Sequence, residues 1–199
     1  HNMSSEKQFR NPTEYGAPKP ETATFTATGG ASAVISSKKS NIKIESATIG
    51  RIVDYNQKDA LNMGAVMACA AADTLKRHLD DLNRKEDYYD LILTGDLGLY
   101  GREILKEFMM KEHKINISCN YNDCGVMLYD LEEQKEVLAG GSGPVCSALV
   151  LYGFILNEMK KKNIKKVLLI ATGALFSPTM LYQKENILSI AHAISLEAI

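Results

Sequence analysis

The sequence predicts an α/β domain with a mixed or mainly parallel sheet. Short apolar runs, above all Lys166 to Ala171, alternate with segments of helical periodicity. The longest helical segment, Ala60 to Leu82, brings Leu61, Ala65, Ala68, Ala72, Leu75 and Leu79 near one face. Its Ala-rich first half suits close packing on a sheet. At 199 residues the chain is long enough to bury a substantial core.

In chain order, the stretch from Asn11 to Pro20 holds three prolines and Gly16, and reads as a loop. Thr22 to Thr28 and Ala31 to Ser36, rich in β-branched residues around Gly29 and Gly30, predict two short strands or one bulged strand. Ile42 to Ile49 alternates as a strand does, and an irregular stretch follows to about Lys58. After the long helix come a strand at Tyr89 to Thr94, a helix at Glu103 to Lys111, and two further strands at Ile115 to Ser118 and Val126 to Tyr129. A helix from Ser142 to Lys161, the buried strand from Lys166 and a last strand at Ile187 to Leu196 complete the order. From Ile42 onward this is a self-consistent α/β unit. The strand and loop material before it has no helix of its own, which is expected of a fragment of a larger fold.

Composition narrows the function classes. The hydrophobic share is 45%, the charged share 24% and the formal net charge −1, so neither disorder nor a nucleic-acid partner is expected. The longest apolar stretch, Val145 to Leu156, is shorter than the roughly 20 residues that cross a bilayer. His1 to Arg10 is polar, without a signal core, and the chain reads as cytosolic. Cys69, Cys119, Cys124 and Cys146 form no CxxC pair and are expected as reduced thiols.

HExxH, P-loop, GxSxG and CxxC signatures are absent. Gly95, Gly98 and Gly101 have the spacing GxxGxxG, which fits a strand-to-helix turn better than a dinucleotide loop. Gly140-Gly141-Ser142-Gly143-Pro144 opens the most apolar helix, with Ser142 as its expected N-cap and Pro144 in its first turn. Such a helix start favours a carboxylate or phosphate oxygen, and a turn needed only for close packing explains the glycines equally well. Asn122-Asp123-Cys124-Gly125 reads as a turn, or as polar groups facing a ligand crevice. Cys124 has no neighbouring His to support a nucleophile role. His192, between Ala191 and Ala193, fits either a core position or a ligand contact, while His78 and His113 lie among charged residues and are expected to be solvated.

Five collinear segments resemble the stage V sporulation protein AD family. They are Phe9 to Gly16, Ile92 to Leu97, Asn122 to Gly125, Ala171 to Leu175 with Ser177-Pro178, and Ile190-Ala191-His192. The resemblance implies a thiolase-like αβαβα fold related to ketoacyl synthase III. Residues 1–39 would end the N-terminal half, and residues 40–199 would form the C-terminal half. It also implies that a nucleophilic cysteine, where the fold has one, lies upstream of this sequence.

Tyr121-Asn122 resembles the segment in which relatives can carry a catalytic His, and Gly141-Ser142-Gly143 resembles a Gly-Asn-Thr segment. Tyr121 and Ser142 stand in place of the expected His and Asn, so condensing chemistry is not expected. The resemblance implies instead a non-catalytic protein that binds dipicolinic acid during its uptake into the developing spore. An acyl-transfer enzyme with its cysteine upstream is the alternative. Tyr121, Asn122, Ser142, Gly143, Ile190 and His192 are the expected ligand contacts, with Ile190 as the apolar wall. No cofactor or metal is implied. The implied partners are other stage V sporulation proteins at the forespore membrane and a second copy of the chain.

Overall fold

The computed structural model describes residues 20–199, so the motif at Phe9 to Gly16 and the loop from Asn11, except for Pro20, lie outside the described residues. The core of the fold is a five-stranded mixed sheet. Its strands are β2 (Ile42–Thr48), β3 (Leu91–Thr94), β4 (Tyr121–Asp123), β6 (Lys166–Ala174) and β7 (Ser189–Ala198), in the order β2-β7-β6-β3-β4. Strands β6, β3 and β4 run parallel, and β7 is antiparallel to both β6 and β2. A separate parallel pair joins β1 (Phe25–Thr26) to β5 (Gly141–Ser142).

Helices cover both faces of the large sheet, which bears out the α/β expectation. On one face α1 (Met63–Asp81) and α2 (Gly98–His113) bury Leu75, Leu79, Leu105 and Met109 against Ile92, Tyr121, Leu168 and Ile170. The Ala-rich face of α1 works as expected, with Ala68, Ala71 and Ala72 wholly buried. Gly64 and Gly101 let α1 and α2 touch, since a Cβ on Gly64 would lie 2.2 Å from the Leu97 carbonyl oxygen. On the other face α4 (Cys146–Val150), a π-helical stretch at Leu151–Ile155 and α5 (Leu156–Lys160) pack Val150, Ile155 and Met159 on Leu93, Val167 and Leu169. The short helices α3 (Cys124–Met127) and α6 (Pro178–Tyr182) complete the set.

Several expected boundaries are corrected by contacts distant in sequence. The strand expected at Val126 to Tyr129 is instead the helical turn α3, and the strand lies earlier, at Tyr121–Asp123. Asp123 makes the difference, because its carboxylate accepts the Gly125 N–H and turns the chain there. Helix α2 begins at Gly98, before the expected Glu103, and runs to His113, where Lys114 in the left-handed region (φ 57°) ends it. Ile115 to Ser118 then forms no strand.

Ala31 to Ser36 is exposed and also unpaired by any strand, with Val34 97% and Ile35 80% accessible. No described residue offers it a ladder. Ser142 is likewise no N-cap. It is extended in β5, Gly143 turns the chain at φ +100°, and the helix starts at Cys146.

Candidate functional site

In open α/β sheets ligands bind at the carboxyl ends of the parallel strands. Here those ends are Thr94, Asp123 and the stretch from Thr172 to Ala174. Three carboxyl-end segments are tied together by two aspartates that the sequence reading did not single out.

Asp123 is wholly buried at the end of β4. Its carboxylate accepts the Leu97 and Gly98 N–H groups at 2.9 Å, the Gly125 N–H at 3.0 Å and the Thr94 hydroxyl at 2.7 Å. It therefore caps α2 from another strand, satisfying amide groups that would otherwise be orphaned at the helix start. Burial pushes its carboxyl up to about 6, with the Thr94 and Leu97 hydrogen bonds opposing and the Asp96 charge adding.

Because the single Thr94 proton goes to Asp123, the Tyr121 hydroxyl, 2.7 Å away, donates to Thr94. Tyr121 thus belongs to a buried relay. Burial, with the Asp123 charge second, pushes its phenol well up, so it stays protonated and cannot act as a base.

Asp96, in the loop between β3 and α2, joins the end of β6 and the Gly143 turn. It accepts the Gly143 N–H at 2.9 Å and the Thr172 hydroxyl at 3.4 Å. The expected amide donor of Gly143 is therefore committed inside the protein. Ser142 is buried and its Oγ accepts from the Thr24 hydroxyl at 3.0 Å. Asn122 stands apart from these two: its carbonyl oxygen accepts from the Arg102 guanidinium and from the Asp123 N–H. An Asp two residues past the end of an apolar strand, after a Gly, is the signal that could have singled out Asp96.

Ile190 and His192 lie two residues apart on β7 and share one face of the sheet, with Ile190 opposite Gly173 and His192 opposite Ala171. His192 is exposed rather than a core residue. Its Nδ1 accepts the Gly50 N–H at 3.1 Å. That bond assigns the proton to Nε2, leaving an outward N–H donor on an exposed ring. Gly50 is obligatory at this contact, because a Cβ there would lie 1.6 Å from the Ala191 carbonyl oxygen. The other two described histidines differ from expectation. His113 is half-buried against Phe108, and His78 is wholly buried.

Cys69, Cys124 and Cys146 are buried, Cys119 is exposed, and no disulfide joins them. Burial, followed by the Asp123 charge, pushes the Cys124 thiol well up, the opposite of what a nucleophile needs. No group of three metal-ligating side chains occurs among the described residues, and no helix there is long and apolar enough to cross a membrane.

The family model for stage V sporulation protein AD matches residues 1–197. Stage V sporulation protein AD of Bacillus subtilis (strain 168) is 48% identical over 197 residues, which are 99% of this chain and 57% of that protein. The chain thus spans less than two thirds of the relative's length. Among solved structures, a crystal structure of a Xanthomonas campestris OleA variant is similar at 9% identity with a TM-score of 0.43, covering 80% of this chain and 58% of that one.

Proposed function

Because this chain belongs to the stage V sporulation protein AD family, we propose that it binds dipicolinic acid without catalysis and serves the acid's uptake into the developing spore. His192 carries this reading. A flat aromatic dicarboxylate needs an apolar wall and N–H or O–H donors for its oxygens. The Nε2–H of His192, held by Gly50, is such a donor, and Ile190 on the same sheet face supplies the wall.

Tyr121 and Ser142, which stand where a condensing enzyme's His and Asn are expected, are engaged inside this chain. Tyr121 is a buried, protonated donor to Thr94, and the buried Ser142 hydroxyl accepts from Thr24. The resulting protein would work with other stage V sporulation proteins at the forespore membrane, and as a homodimer.

Isothermal titration calorimetry with dipicolinate tests the assignment. A hydrogen bond to a charged acceptor contributes about 1.5–3 kcal/mol, so His192→Ala is expected to weaken binding roughly 10- to 100-fold. The triple replacement of Asn122, Ser142 and His192 by Ala is expected to abolish saturable heat. Unchanged affinity in both variants would reject the residues. No binding by the unaltered protein would reject the ligand.

A further inference from the structure

The strongest unexplained feature lies away from this site, at the far end of α1. His78 is wholly buried, with Nδ1 2.7 Å from the Thr48 hydroxyl on edge strand β2 and Nε2 2.6 Å from the Tyr89 hydroxyl just before β3. Tyr89 in turn accepts from Arg84 Nη1 at 2.9 Å. Arg84 grips Glu45 of β2 through both terminal nitrogens, at 2.5 and 2.8 Å, and stacks 4.1 Å over the Tyr88 ring. Glu45 also accepts from the Ser46 hydroxyl. The Arg84 hydrogen bond, against some burial, draws the Glu45 carboxyl down to about 2.

Proton counting assigns the tautomer. Arg84 can only donate, so the Tyr89 oxygen accepts from it, and the one Tyr89 proton goes to His78 Nε2. Nε2 is then an acceptor, and Nδ1–H donates to Thr48. The imidazole is neutral and fully committed. An imidazolium here would set a second N–H against the Tyr89 oxygen, deprive the Tyr89 proton of its acceptor, and put a second cation in the same buried space as Arg84.

We propose that His78 is an acid-sensitive latch: the neutral ring pins edge strand β2 to α1 and to the Tyr89 turn, and protonation releases that edge of the sheet. Of the charged groups around the ring, Glu45 and Asp81 favour protonation, each by less than burial and Arg84 oppose it. Glu45 is already paired to Arg84, and Asp81 on α1 is exposed to solvent. Lys166, 3.7 Å over the outer Tyr88 ring, adds positive charge at the edge of the cluster. Burial, with Arg84 second, moves the His78 pKa below the ordinary 6.5.

The sign of the effect follows from that direction. A His whose folded pKa is depressed stabilises the fold above the unfolded pKa, and that stability drains away as pH falls below about 6.5. For one proton the unfolding constant rises up to about tenfold per pH unit.

The test compares thermal unfolding of the protein and of His78→Gln between pH 8 and pH 5. At pH 8 the variant is expected to melt well below the parent. Toward pH 5 the gap is expected to close, because only the parent loses the neutral-ring contribution. A gap that stays constant would overturn the proposal. Nitrogen NMR of the ring in the parent protein supplies a second readout should the variant fail to fold. It is expected to show Nδ1–H at pH 8 with no protonation until the sheet edge opens, whereas Nε2–H, or protonation of an intact fold near pH 6.5, would contradict the latch.

Discussion

Asp123→Ala is expected to destabilise the protein by about 3 kcal/mol or more, the largest loss we anticipate from a single polar truncation. Four donors would lose their shared acceptor in a place water does not reach: the Thr94 hydroxyl and the N–H groups of Leu97, Gly98 and Gly125. Leaving a buried donor unsatisfied costs about 1–3 kcal/mol, and part of the sum is recovered as the start of α2 frays toward solvent. Asp123→Asn keeps one acceptor oxygen and the shape, but turns an NH2 toward the amide donors, and should fall between. Urea denaturation with an unchanged slope measures both. A loss below about 1 kcal/mol for Asp123→Ala would show that the α2 start is held by other means.

Gly50→Ala is the second. Its Cβ would overlap the Ala191 carbonyl oxygen at 1.6 Å and crowd the Thr74 hydroxyl at 2.7 Å, and that hydroxyl itself donates to Ala191. Neither neighbour can give way cheaply, since one is backbone in the sheet and the other lies in the packed face of α1. Overpacking of this kind costs typically 1–3 kcal/mol and occasionally more, and backbone overlap puts Gly50→Ala at or above about 3 kcal/mol. The chain would have to move away from β7 at Gly50, taking with it the N–H that orients His192. Stability and dipicolinate affinity should therefore fall together, whereas His192→Ala lowers affinity with little change in melting temperature. Full stability in Gly50→Ala would contradict the close approach of Gly50 to β7.

What the sequence revealed and what it concealed divide along one physical line. Strands β2, β6 and β7 and helix α1 were legible because each carries its own signal: alternation at Ile42 to Ile49, a run of Val, Leu and Ile from Lys166, an apolar stripe with alanines on α1. The errors cluster where one side chain decides the conformation of a distant segment. Asp123 moves the start of α2 back to Gly98 and converts the expected strand after Cys124 into a helical turn. Pairing with β1 keeps Ser142 extended, so a sequence pattern suited to an N-cap folds as a strand.

At the candidate site, Ile190 and His192 could be read as neighbours because strand geometry places alternate residues on one face. Gly50 and Asp96 could not, since their roles exist only through Ala191, His192, Gly143 and Thr172, some 47 to 142 positions away. His78 is buried rather than solvated for a related reason. Charged neighbours along a helix describe its solvent face, while the side of His78 that matters faces Thr48 and Tyr89.

Dipicolinate is expected to bind the sheet face that bears Ile190 and His192. A crystal soaked in dipicolinate tests it most directly. The ring is expected against Ile190, with a carboxylate oxygen about 2.8 Å from His192 Nε2. Ligand density elsewhere, with this face empty in a protein that binds dipicolinate in solution, would contradict it.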